Sequence, residues 1–560
     1  MSGGPSTSNE KTSLLWKISS SDKNGDKYLT FSGNNSIQNQ SNVTSSSSIN
    51  NSYVHQRQEL PPIRVYKIRW YILTVICLAN IANAINWICY SSIADFTAEF
   101  YTINYDQVNY LSLVYLVISI PTGFFSFILI DNFGLRSSIN LGAWLNFIGA
   151  FLRVFSSINS ANSKPLIDQD QKYLVLMIGQ AFCASSQPFI LFVSTKFANT
   201  WFADDQRALA NTIALGSNTF GILIGSFVSP LIVNSSIEFI SEISLLNIVY
   251  CMLSLIPALM AILITRSTPE LPPSYSTIMM NRENDDLESS GLSKFAIFWL
   301  NFKSYLNECV KLLKSKDFLI LFMSFGLSLG MFNSLTTLIE QILCTRGYSD
   351  NDAGIFGGSM IMSGIIGSII SGIILDKTKR FEELAKICFS MCALANIIFV
   401  LVQLYNNDSS LIYYSMLTSF ILIGLFGLPL LPICMECCLE CVYPIPEATS
   451  TGLLFLAGQV FGIAVIVGNP KIAKKVDVNS YTYNNIQTCT STSWVPINST
   501  TIRPPSNQLV VLDFNTPLFI QTIIFVFIAI FFTLFFKCAY LRLRSEREKQ
   551  VEQILNSVSI

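Results

Sequence analysis

The sequence predicts an all-α integral membrane protein, with twelve transmembrane helices in two pseudo-symmetric six-helix bundles. Three observations predict it. Mean hydropathy is +0.47 and only 13% of residues are charged, about half the charged share usual in soluble domains. Apolar runs of roughly 20 residues, the length that crosses a hydrocarbon core, recur twelve times along the chain. The second six runs also repeat features of the first.

Taken in order, residues 1–60 are rich in Ser and Asn and too polar to bury the apolar surface that offsets ordering entropy, so they read as a disordered cytoplasmic tail. Within it Glu10, Leu14 and Leu15 fit an acidic dileucine signal that a sorting adaptor could read. The opening Met1-Ser2-Gly3-Gly4 lacks the apolar core of a cleavable signal peptide, so the first apolar run is expected to serve as signal anchor. The first bundle, 61–265, holds runs near 70–93, 108–130, 137–157, 173–195, 208–232 and 244–265. A polar cytoplasmic linker, 266–317, opens on Pro269-Glu270-Leu271-Pro272-Pro273. The second bundle, 318–540, holds runs near 318–343, 353–375, 385–405, 411–435, 449–468 and 515–537, with a long outer loop at 469–514. A short cytoplasmic tail, 541–560, closes the chain. Pro121, Pro188 and Pro429 fall inside runs, which membrane bundles tolerate because neighbouring helices re-satisfy the freed backbone groups.

Lys and Arg orient the bundle. With the N-terminus inside, inner segments carry 22 of them against 8 outside, Arg153 being assigned to the outer set. Both termini are therefore expected in the cytoplasm, of a cell whose plasma membrane or endolysosomal membrane holds the protein. The sequons at Asn234, Asn407 and Asn498 then fall outside.

Composition also excludes. The single histidine, His55, lies in the polar tail, which argues against histidine-based metal or acid–base chemistry. Cys434, Cys437, Cys438 and Cys441 are spaced along one helical stripe, whereas a tetrahedral site needs ligands from several directions; they read as buried apolar thiols or palmitoylation sites, and no metal or cofactor is expected. A net charge of -1 gives no sign of a nucleic-acid partner. No Ser/His pair, HExxH or nucleophile elbow is present, so no enzyme is expected.

The halves look like copies. Residues 206–225 align without gaps on 447–466, placing Phe220-Gly221-Ile222 on Phe461-Gly462-Ile463 and Asn218 on Gln459. The loop Asp131, Gly134, Arg136 likewise parallels Asp376, Lys379, Arg380. Parallel repeats with a site at their interface are one known transporter architecture. A charge latch at these two loops would bias the conformers through contacts made in one state only.

At Asp131-Asn132-Phe133-Gly134-Leu135-Arg136 the sequence resembles the major facilitator signature. The stretches Tyr110 to Leu116, Gly142 to Asn146, Leu338 to Cys344 and Glu440 to Glu447 are more specific. They resemble solute carrier family 49, the feline leukaemia virus subgroup C receptor-related family, and most of all its A3 branch. The resemblance implies the major facilitator fold. It also implies transport of a small organic solute by alternating access, secondary active or facilitative: a choline- or ethanolamine-like amine, a vitamin-like molecule or haem. The family's choline-site Trp falls on Trp87 and its two Gln residues on Gln187 and Gln459. Its Tyr falls on Asn333, leaving Phe332 or Tyr90 to supply the missing aromatic face. Glu340, a carboxylate in a membrane segment, is the candidate coupling residue. Glu436 and Glu440 read as gate or surface groups. The partners expected are the solute and the lipid bilayer, with the chain acting as a monomer. The competing reading is a non-transporting receptor or scaffold on the same fold.

Overall fold

The computed structural model describes residues 64–158, 168–233, 239–271, 273, 303, 306–405, 409–442, 445, 447–475 and 512–544. The sorting signal at Glu10, Leu14 and Leu15 and most of the linker lie outside these. Among the described residues, twelve helices are long and apolar enough to cross a membrane.

The first half contains α1 (Ile68–Ile88), α2 (Ala94–Tyr101), α3 (Tyr105–Ser157), α4 (Gln169–Leu191), α5 (Val193–Trp201), α6 (Asp204–Ile232) and α7 (Phe239–Ile262). The second contains α8 (Lys316–Thr337), α9 (Ile339–Cys344), α10 (Asp350–Thr378), α11 (Phe381–Gln403), α12 (Ser410–Gly427), α13 (Leu430–Val442), α14 (Glu447–Ile472) and α15 (Asn515–Phe535). Strands β1 (Lys474–Lys475) and β2 (Leu512–Asp513) pair antiparallel beside the last helix. The face where α1 begins is called the near face here, and the opposite one the far face.

Two spans are each built from two helices. The span Gln171–Trp201 breaks at Phe192, and Ser410–Val442 breaks at Leu428. Pro429 sits at the second break, where a proline ring removes a donor and crowds the preceding turn, and Pro188 lies within α4 one turn before the first. The prolines stand 241 residues apart, the same offset that aligns 206–225 on 447–466. The repeat therefore extends through the fourth and fifth spans of each half.

The two signature loops show the same relation. Helix α3 holds two spans, joined where Gly134 takes φ 78 and ψ 172. Its counterpart Lys379 takes φ 54, also left-handed. A Cβ on Gly134 would stand 2.7 Å from Ser267 Oγ, so both backbone and space require glycine there. Gly134→Ala is expected to cost about 1–3 kcal/mol in thermal stability, and Lys379→Gly to be neutral or to stabilise by up to about 1 kcal/mol. Melting curves of the detergent-purified variants check both; a wild-type curve for Gly134→Ala would refute the first.

The halves meet mainly through α6 against α10 and α3 against α14. At the far face this contact is tight. Asn109 and Gln341 exchange hydrogen bonds across it, Gln341 Nε2 donating at 2.8 Å and Asn109 Nδ2 returning one at 3.3 Å. Gly354 lets α10 approach Ser226 and Pro230 of α6. The described conformation is thus closed at the far face.

Candidate functional site

The interior of the first half holds a buried polar network centred on Arg153. Arg153 is 1% exposed, within the span Phe133–Ser157 rather than in a loop, which corrects its place in the charge count. It donates to Asn86 Oδ1 at 2.8 Å, to the Asn86 carbonyl at 3.1 Å and to Tyr90 Oη at 3.2 Å. Gln180 donates to the same Asn86 carbonyl. Asn83 donates to Asn146, to Ser186 and to the Cys183 carbonyl. These groups brace the end of α1, and the next residue after Asn86 is Trp87.

Trp87 is buried in an apolar cluster that draws on both halves, with Tyr115 and Ile88 on one side and Leu335 and Ile339 on the other. Its indole Nε1 has no hydrogen-bond partner. Neither has Gln459 Oε1 on α14, nor its repeat counterpart Asn218 Nδ2 on α6. Tyr115 adds a hydroxyl that is buried and equally unsatisfied, and sequence reading did not single it out. Asn333 is buried on α8, its Nδ2 3.5 Å from where a Cβ on Gly462 would stand, one turn beyond Gln459. Gln187 is half-buried on α4.

Of the two expected aromatic substitutes, one is turned away from Asn333. Tyr90 is turned into the first half, its hydroxyl donating to Asn247 at 2.7 Å and its ring face covered by Arg153 at 4.7 Å. Phe332 lines a cavity within the second half, with Leu329, Asn396, Phe399, Leu431 and Phe525. Phe332 also packs against the apolar cluster that holds Trp87, whereas the Tyr90 ring face is taken by Arg153.

At the near face, Arg136 donates from its backbone to Ser267 Oγ and from its guanidinium to the Thr265 carbonyl. It therefore ties the signature loop to the end of α7 within its own half. Lys379 and Arg380 are exposed, and the side chains of Asp131 and Asp376 are outside what the structure describes. Glu440 is fully buried, not a surface group: it pairs with Arg542 at 3.3 Å and accepts from the Leu543 amide. Cys434, Cys437, Cys438 and Cys441 are free and buried in the second half's core.

At the far face, Glu340 follows the break after α8. It is 1% exposed, and its two carboxylate oxygens have no hydrogen-bond partner. One oxygen from each of Asp95, Glu340 and Asp350 lies within 4.8 Å of the others. Burial, with Asp95 adding its charge, pushes the Glu340 carboxyl well above the usual carboxylate range.

The sequence profile of the Major Facilitator Superfamily matches residues 76–467. Solute carrier family 49 member A3 of Xenopus tropicalis is 34% identical over 486 residues, covering 86% of this chain and 90% of that protein. The chain belongs to the major facilitator superfamily, in solute carrier family 49. The choline/ethanolamine transporter flvcr2a of Danio rerio is 29% identical, covering 73% of this chain and 81% of its own. Among solved structures, a D-xylose–proton symporter superposes with a TM-score of 0.58 at 14% identity, covering 83% of this chain and 97% of that one. That likeness carries the fold alone. This solute carrier is accordingly a multi-pass membrane transporter of a small solute and not an enzyme.

Proposed function

We propose that this solute carrier moves a small polar amine or a neutral vitamin-like molecule in preference to choline, by alternating access between its two halves. The observation that carries this reading is the set of buried, unsatisfied polar atoms: donors at Trp87 and Asn218 and an acceptor at Gln459. Polar atoms without partners cost free energy that a ligand with matching groups would recover. Gln187 and Asn333 would add amides, which offer both donors and acceptors. A trimethylammonium head uses neither and needs aromatic faces. With Tyr90 committed to Arg153 and an amide at Asn333, the aromatic groups left are Trp87 and its cluster neighbours Tyr115 and Phe332. The signature loops bias the conformers, Gly134 and Arg136 in one half and Lys379 and Arg380 in the other, with Asp131 and Asp376 as their acidic members.

The far face is read as the outside, with both termini cytoplasmic. The Lys and Arg asymmetry supports this, and Cys344 at the far face is disulfide-bonded, as oxidising compartments allow. The plasma membrane or an endolysosomal membrane would satisfy both, and the dileucine signal at Glu10, Leu14 and Leu15 would direct the choice through an adaptor.

Radiolabelled choline and ethanolamine uptake in expressing cells tests the preference. Asn333→Tyr is expected to raise choline uptake roughly tenfold, since one desolvated cation–π contact contributes about 2 kcal/mol at most. Trp87→Ala is expected to lower uptake of any substrate. High-affinity choline uptake by the wild type would refute the preference, as would no response to Asn333→Tyr at equal surface expression.

A further inference from the structure

The carboxylates of Asp95, Glu340 and Asp350 come from opposite halves of the molecule. Asp95 stands on α2 of the first half, Glu340 on α9 and Asp350 at the start of α10 of the second. Their ligand atoms lie within 4.8 Å of one another. Among the described residues no Lys or Arg pairs with any of the three. Asp95 accepts from the Phe96 amide at 2.7 Å, and its carboxylate faces that of Asp350. Glu340 has nothing: both oxygens are buried and unpartnered, facing the other two acids. Ser92 Oγ and Thr337 Oγ1, each three residues before one of the acids, are also buried without a partner. A small, mainly apolar cavity whose lining includes Ser91, Ser92, Ile88 and Ile339 lies at this same junction of the halves.

We propose that Asp95, Glu340 and Asp350 form a binding site for a divalent cation of the calcium class, which ties the two halves together in the conformation closed at the far face. The ligand set is all oxygen, which suits a hard cation. Calcium binds oxygen at about 2.3–2.6 Å, so two oxygens on one ion stand no more than about 4.6–5.2 Å apart. The three acids, within 4.8 Å of one another, lie inside that limit. On binding, the ion offsets the repulsion among the three gathered carboxylates. It also gives Glu340 its missing partner. Opening the far face separates Asp95 from the other two and dismantles the site, so the ion favours closure by its differential affinity for the two states. Two carboxylates and one from across the interface predict affinity in the range of extracellular modules, about 0.1–1 mM.

The closing motion rests on the transport reading, but binding to the purified chain does not, so the two can fail separately. Full-length protein in nanodiscs is titrated with calcium chloride at fixed ionic strength, with magnesium chloride as the parallel arm. Equilibrium binding of radioactive calcium reads occupancy, and the rate of disulfide cross-linking in an Asn109→Cys, Gln341→Cys pair reads closure. The expected result is one saturable calcium per chain and cross-linking accelerated several-fold, both lost in Glu340→Gln and in Asp350→Asn. If Glu340→Gln fails to fold, Asp350→Asn decides. Overturning results are absent saturable binding, binding unchanged in both variants, or closure driven by acid alone with no effect of calcium. Binding without faster cross-linking would overturn the tie between the halves.

Discussion

Arg153→Met is expected to remove most of the folded protein from detergent extracts, and Arg153→Lys to do no better. The guanidinium forks to the Asn86 side chain and carbonyl and to Tyr90 Oη, all buried. No carboxylate pairs with it among the described residues, so its charge is dispersed over neutral dipoles rather than neutralised. Two effects oppose each other on substitution. Removing an uncompensated buried charge relieves a desolvation cost. Leaving acceptors without donors costs about 1–3 kcal/mol for each one. With Asn86 Oδ1 left without a donor, Tyr90 Oη deprived of one, and a cavity left at Met, the loss prevails by about 2–3 kcal/mol, a large part of ordinary folding stability. Lysine keeps the charge but not the planar fork. Fluorescence-detected size exclusion after a temperature ramp separates the cases. Recovery in Arg153→Lys alone would mean that charge, not geometry, is what the site needs; a wild-type profile for Arg153→Met would refute the role altogether. Because Asn86 precedes Trp87, any surviving variant should also lose uptake at equal surface expression.

How much of this was legible in the sequence differs from one residue to the next. Lipid forces long apolar runs, so the twelve spans could be read directly. Gly134 announced a turn, but the Ser267 that makes glycine obligatory lies 133 residues away and could not be seen. Arg153 read as a loop residue because hydropathy cannot separate a lipid-facing run from one that turns a polar face into its own bundle. Asn83, Asn86, Asn146 and Asn247 each look like isolated polar residues in apolar runs, and only the packing of three helices makes them one network.

The candidate site shows the same division. Trp87 and Tyr90 are three apart, which on a helix would share a face. However, α1 ends at Ile88, so its period does not place Tyr90. Asn333 and Phe332 are helical neighbours about 100° apart, and adjacency could not say which faces the path. Glu340 stood out as a carboxylate in an apolar setting. Its companions Asp95 and Asp350 did not, because each sits in an ordinary polar connection until the halves close.

Gly358→Leu is expected to abolish turnover by holding the far face open. Gly358 lies on α10 where it crosses α6 of the other half, and a Cβ there would stand 2.0 Å from the Phe227 ring. Nearby, a Cβ at Gly354 would meet the Ser226 carbonyl at 2.9 Å. Backbone at that distance cannot yield as a side chain can, so the two helices have no slack to absorb a leucine. Overpacking a tight contact costs about 1–3 kcal/mol and occasionally more. This cost falls only on the closed state, because opening separates α6 from α10. A differential of about 3 kcal/mol shifts a two-state balance by roughly a hundredfold. The protein should still fold, since each half keeps its own core. A cysteine placed at Ser92, buried in the closed state, reads the outcome. Membrane-impermeant maleimide should label Ser92→Cys slowly alone and rapidly in combination with Gly358→Leu, while substrate uptake falls to background. Adding Phe227→Ala removes the ring that the leucine strikes and should restore both slow labelling and part of the uptake. Unchanged labelling in the Gly358→Leu background, at normal surface expression, would show that α6 and α10 do not part during transport.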